Sequence, residues 1–175
     1  CVEGAAAGPI GPFVVMPNAG LGECAGVDWA RTEPHIQYQH TKATEGLSAY
    51  EYVVAVRALE RLSREEVARW GRDFDVLLTP TSAILPPVAG AILAAQHAAP
   101  DQPIADVVGS VSFTAFGNVT GLPALSLPLH WTGDGLPLGV HLAARFGADE
   151  ELIALSAEVE AVAPWATRRP LLDRP

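Results

Sequence analysis

Behind Ser48 the apolar residues Tyr52, Val56, Leu59, Val67 and Trp70 recur at roughly helical spacing, while Arg57, Glu60, Arg61, Arg64, Glu65 and Arg69 lie mostly off that stripe. The pattern predicts a long surface helix with one buried face, ending near Gly71. Its start is marked by Ser48-Ala-Tyr-Glu51, a capping box in which hydroxyl and carboxylate satisfy early backbone donors. Asp75-Val-Leu-Leu-Thr79 is a continuous apolar run closed by Pro80, the pattern of a strand buried on both faces. A loop around Pro86-Pro87 and a short helix over about Ile104 to Phe116 follow. Ala124–Leu129 and Leu138–Ala143 flank Thr132-Gly-Asp-Gly135, which predicts a hairpin. Asp149 is the expected cap of a last helix carrying Leu152, Leu155 and Val159, stopped by Pro164. Helices between buried strands read as α/β with a mixed sheet.

Two stretches, Val76–Pro100 and Val107–Gly133, contain no Asp, Glu, Lys or Arg. Pro80, Pro86 and Pro87 break the first, and Gly117, Gly121, Pro123 and Pro128 the second, so neither is a membrane helix. Both read as buried strands and tight loops, more interior than a free-standing domain of 175 residues usually holds. With 49% hydrophobic and 18% charged residues the chain is too apolar for intrinsic disorder. Its net charge of −9 argues against a nucleic-acid partner. Two cysteines, Cys1 and Cys24, are too few for a disulfide framework and point to a reducing, cytoplasmic setting. The sequence begins at Cys1 without a start methionine or a visible secretory signal, so a fragment is the expectation.

Catalytic motifs are scarce. No Gly-rich phosphate loop, dinucleotide fingerprint or G-x-S-x-G elbow occurs, so no cofactor is expected. His35 and His40 are five apart, which does not stack two ligands on one helical face, and His97, His130 and His141 lack acidic or cysteine neighbours at ligand spacing. No metal site is expected. The single lysine, Lys42, lies in the polar run Gln39–Glu45 and reads as solvated rather than as a base in a dry pocket. No serine stands in a glycine-rich turn able to form an oxyanion hole.

Three stretches taken together resemble the carboxy-terminal part of the amidase signature family of serine amidohydrolases. They are Phe74-Asp-Val-Leu-Leu-Thr-Pro-Thr81, Phe113-Thr-Ala-Phe-Gly-Asn-Val-Thr-Gly-Leu-Pro-Ala-Leu-Ser-Leu-Pro128, and Gly135–Val140 running on through Arg145–Asp149 to Pro164-Trp165 and Arg168-Arg-Pro170. Order and spacing agree from about Thr44 to Pro170. The resemblance implies that residues 1–175 form the carboxy-terminal portion of a single amidase domain, an α/β/α sandwich with a mixed sheet. It implies hydrolysis of a carboxamide by a Lys–Ser–Ser arrangement in a Gly-Ser-Ser-Gly-type region, which this sequence does not contain. No catalytic residue carries over.

The resemblance also places Asn118 and Gly121 in a structural turn. It sets Phe113, Thr114 and Phe116 in a segment that approaches the acyl pocket, with core packing as the competing reading. Trp29 and Cys1 are weaker pocket candidates. Glutamine-using members have an aspartate where this chain has Val111, and an ammonium without a carboxylate is left uncompensated. The expected substrate is therefore a small, uncharged or moderately apolar amide. The alternatives are a glutamine-using amidotransferase subunit and a non-catalytic scaffold, with self-association of the chain also expected.

Overall fold

The computed structural model describes residues 26–45, 48–102 and 104–169, so Cys1 and Cys24 lie outside the described residues. The chain divides into two compact units, Cys1–Glu66 with Pro87–Val108, and Val67–Pro86 with Gly109–Pro175.

In the first unit a 3-10 turn, Trp29–Arg31, leads into α1 (Pro34–Glu45), followed by α2 (Ala49–Val67) and α3 (Ala91–Ala98). The Asp28 carboxylate caps the 3-10 turn by accepting from Ala30 N–H. The capping box forms as the sequence requires. Ser48 N–H donates to Glu51 Oε2 at 2.9 Å, and Glu51 N–H donates to Ser48 Oγ at 3.2 Å. The α2 stripe is shallower than expected: Val56 and Leu59 are half-buried and Tyr52 is exposed. Helix α1 packs against α3, with the imidazole of His97 paired to the Glu33 carboxylate. Helix α3 corrects the reading of the first charge-free stretch. Ala91-Ile-Leu-Ala-Ala-Gln-His-Ala98 is rich in strong helix formers, and none of its residues is fully buried.

The second unit is built on a three-stranded sheet of β1 (Val76–Pro80), β2 (Ala124–Trp131) and β3 (Pro137–Ala144) in the order β1-β3-β2. Both pairings are antiparallel, so none of the three strands contributes a parallel neighbour. The hairpin closes where expected: Gly135 N–H donates to Thr132 O, Leu136 N–H to Thr132 Oγ1, and Gly135 holds φ +89°. Strand β1 pairs only with β3 among the described strands and leaves Leu78 64% exposed, so it is an edge rather than a strand buried on both faces. An apolar run fits either place, and only the pairing partners separate them.

Register sorts the side chains onto two faces, because residues paired across strands point the same way. One face carries Val76, Leu125, Leu127, Leu142 and Ala144, which pack with Ala148, Leu152, Leu155, Val159 and Trp165. The covering helix, α6 (Asp149–Val162), is capped by Ala148 rather than Asp149. Asp149 is instead the first helical residue and, with Glu150 and Glu151, places charge against the positive end of the helix dipole. The other face carries Leu77 and Ala143, which join Trp70, Leu122, Phe74, Val67 and Phe116. The helix expected over 104–116 is two short ones, α4 (Ala105–Val111) and α5 (Ala115–Thr120), separated by a turn at 112–114.

Candidate functional site

Beside the Trp70 cluster, the same sheet face carries a polar strip. His141, at the centre of β3, is in register with Thr79 on β1 and Ser126 on β2. Two residues along, Gly139 O accepts from Thr81 N–H at 2.9 Å, which extends the pairing just beyond β1. The strip is therefore Thr79, Thr81, Gly139, His141 and Ser126. It gathers one or more residues from each of the three stretches singled out in the sequence.

The hydroxyls of Thr81 and Ser126 are hydrogen-bonded at 2.5 Å across 45 residues of chain. They meet over Gly139, where a side chain would have no room: a Cβ there would overlap Thr81 Oγ1 and lie 2.5 Å from Ser126 Oγ. Glycine at 139 is thus required by close approach, not by backbone angle. His141 is 6% exposed, and Thr79 Oγ1 lies 3.4 Å from its Nδ1. Burial pushes its pKa below the ordinary value, so the imidazole is neutral near pH 7. Ser126 and His141 are cross-strand neighbours, yet the hydroxyl engages Thr81 and the imidazole engages Thr79. The arrangement fastens strands together and does not place a base on the serine, which a serine nucleophile needs.

The residues named from sequence lie outside this strip. Gly121 has φ +71° and is the left-handed cap of α5. Its N–H donates to Gly117 O at 2.8 Å. Asn118 lies inside α5 with an exposed side chain, so the left-handed residue of this turn is the glycine. Phe116 stacks on Trp70 at 5.8 Å between centroids. Phe113 and Thr114 are half-buried in the turn before α5, with Thr114 Oγ1 donating to Val111 O at 3.4 Å. In the first unit, Lys42 is exposed with its ammonium 5.5 Å from the Tyr38 ring centroid, and Trp29 stacks on His40 at 3.6 Å. Among the described residues no cluster of His, Cys, Asp or Glu could hold a metal, and no helix is long and apolar enough to cross a membrane.

Sequence reasoning set His141 and Ser126 aside one by one. The signal that could have joined them was the alternation along β3, which puts Gly139, His141 and Ala143 on one face. A third feature went unnoticed: the Arg168 guanidinium sits over the Trp131 ring at 4.1 Å.

Comparison with known proteins identifies the family. The Amidase family model matches residues 30–153. A Mycobacterium leprae protein named "Putative amidase AmiC" is 40% identical over 112 residues, 64% of this chain and 23% of the relative. The 6-aminohexanoate-cyclic-dimer hydrolase of Paenarthrobacter ureafaciens is 29% identical over 142 residues, 79% of this chain and 29% of the relative. Among solved structures, a 6-aminohexanoate cyclic dimer hydrolase superposes with a TM-score of 0.78 at 24% identity, over 92% of this chain and 34% of that one. A bacterial aryl acylamidase of the amidase signature family does so at 0.65 and 22%, over 93% and 35%. The chain belongs to the amidase family and has its α/β fold. It spans about a quarter of the length of the curated relatives it matches.

Proposed function

We propose that this chain is the carboxy-terminal portion of a cytoplasmic amidase that hydrolyses the C–N bond of a small carboxamide to carboxylate and ammonia or amine. In this reading a Lys–Ser–Ser arrangement outside the chain performs the attack: one serine adds to the carbonyl, and the second passes its proton toward a neutral lysine. The residues described here supply scaffold and wall. The observation that carries the reading is the Amidase match over 30–153, set against a sequence whose one lysine, Lys42, is solvated and whose Ser126 is bonded to Thr81. The fold's three motifs meet in one strip, and that strip has no activated nucleophile.

An uncharged amide is the favoured substrate. Val111 stands where a glutamine-using member would have its aspartate, and the charge-free run Val107–Gly133 offers no substitute for an ammonium. The hydrolase relative named for the cyclic dimer of 6-aminohexanoate fits, since cyclisation leaves no free ammonium. Two measurements test the proposal. The coding sequence upstream of Cys1 should contain an in-frame Gly-Ser-Ser-Gly segment, and an intervening stop codon would overturn the reading. The 175-residue chain alone should release no ammonia or amine from simple aliphatic or aromatic amides. Turnover lost on Ser126→Ala or Lys42→Met would place the chemistry inside the chain instead.

A further inference from the structure

Beyond the hairpin turn, the second unit carries a pair of adjoining clefts that the polar strip does not use. One, of about 530 Å³, is lined by Leu129, His130, Trp131, Ala163, Pro164 and Arg168. The other, of about 650 Å³, shares Trp131 and Arg168 and adds Pro128, Pro137, Trp165 and Arg169 to its walls. Each volume lies within the usual range for small-molecule sites.

The fold builds this place from both sides. A bulge in β2 between Leu127 and His130 shifts the register just before Trp131, and bulges re-aim the side chains that follow. Trp165 packs against the buried Leu127–Leu152 cluster, and its carbonyl accepts from Arg168 N–H at 2.9 Å. That turn sets the Arg168 guanidinium over the Trp131 ring. Stacking uses the face of a guanidinium and leaves its edge donors free for an anion in the plane.

The clefts are basic in a chain of net charge −9. Arg61, Arg64, Arg69, Arg72 and Arg145 each lie against a carboxylate, whereas Arg168 and Arg169, like Arg31 and Arg57 of the first unit, have no carboxylate partner among the described residues, and only Arg168 and Arg169 line a cleft given above. Among the described residues, no acidic one lines either cleft. The carboxylate of the adjacent hairpin turn, Asp134, is engaged by the Thr132 hydroxyl.

We propose that the clefts around Trp131, Trp165, Arg168 and Arg169 bind a small organic carboxylate with an apolar body. The guanidinium edges take the carboxylate in a fork-to-fork contact, and the indole and proline faces take the body. The wall chemistry selects against inorganic phosphate. Pro128, Pro137 and Pro164 bring no N–H, so the backbone nest that holds a hydrated dianion is missing on those sides.

The test uses the whole chain, with 4-phenylbutyrate as probe, its neutral amide as the isostere and inorganic phosphate as competitor, read by tryptophan fluorescence and calorimetry. The acid should bind about tenfold more tightly than the amide, as expected for charge-assisted hydrogen bonds. Its affinity should fall as salt is added. Arg168→Gln should abolish the preference, Arg169→Gln should weaken it, and Trp131→Phe should remove most of the fluorescence change. Arg57→Gln, on α2, should leave binding unchanged while altering net charge equally. Equal binding of acid and amide, equal loss with Arg57→Gln, phosphate competing as well as the acid, or no binding at all would each overturn the proposal. Should Arg168→Gln fail to fold, Arg169→Gln and the salt titration still decide it. No turnover enters these readings, so they stand or fall apart from the amidase reading.

Discussion

Thr81 and Ser126 lie 45 residues apart in sequence and share a 2.5 Å hydrogen bond over the backbone of Gly139. The pair closes the polar strip at the end where β1 runs out, so the chain just beyond β1 is tied by a hydroxyl contact to β2 across the intervening β3, to which it also pairs by backbone. Because the fit leaves no room for a methyl group, its consequences are measurable.

Gly139→Ala should destabilise the chain by about 1–3 kcal/mol, the usual cost of overpacking a filled site. Denaturant unfolding would report it as a lower midpoint at constant slope. Combining Gly139→Ala with Ser126→Ala should recover part of the loss, because the two sites touch and their effects do not add. An alanine at 139 with wild-type stability would show that the approach is looser than described.

His141 gives stability a pH dependence of known sign. Burial pushes its pKa below the ordinary 6.5, so the unfolded chain takes up the proton more readily than the folded one. Its contribution is therefore fully present above 6.5 and is lost as pH falls below that value. The carboxylates of Glu51, Asp73 and Asp134 are held below their ordinary values by hydrogen bonds and titrate at lower pH. Melting temperatures of the natural chain and His141→Gln, compared between about pH 7.5 and pH 5.5, should show a smaller drop in the variant. Equal drops would remove His141 as the cause.

Leu152 is 2% exposed and seated against Leu142, Ala144 and Leu127. Leu152→Ala should therefore cost about 2–5 kcal/mol. Its neighbour Ile153 is 65% exposed. Ile153→Ala should stay within about 0.5 kcal/mol of the natural chain. Comparable losses at the two positions in thermal or denaturant unfolding would contradict the face assigned to α6.

Self-association should follow from the β1 edge. An unpaired strand edge offers free backbone groups to a second chain. Leu78 adds an exposed apolar side chain, without a gatekeeper charge between Val76 and Pro100. Sedimentation should show soluble oligomers that bind a hydrophobic dye, and Leu78→Lys should shift them toward monomer. The net charge of −9 favours soluble species over precipitate. A monomeric, dye-silent natural chain with a sharp melt would argue for a complete domain.

The sequence by itself determined what local hydrogen bonding and short-range periodicity control. Ser48 and Glu51 lie within one turn of helix, Thr132 to Gly135 close a hairpin over four residues, and Gly121 accepts the left-handed angle that caps α5. The ordered motifs also carried the family, because their spacing along the chain does not depend on knowing where they meet. Only the tertiary structure decided that Leu78 is left exposed at the sheet edge, that Ala91–Ala98 is helical without a buried residue, and that α6 is capped by Ala148. It alone set His141 against Thr79, Ser126 against Thr81, and Arg168 over Trp131. Those contacts depend on strand order, register and a bulge, which arise from pairing between distant segments. A side chain's alternation fixes which face it shares with its strand neighbours, but its partners are chosen by the strands that pair beside it.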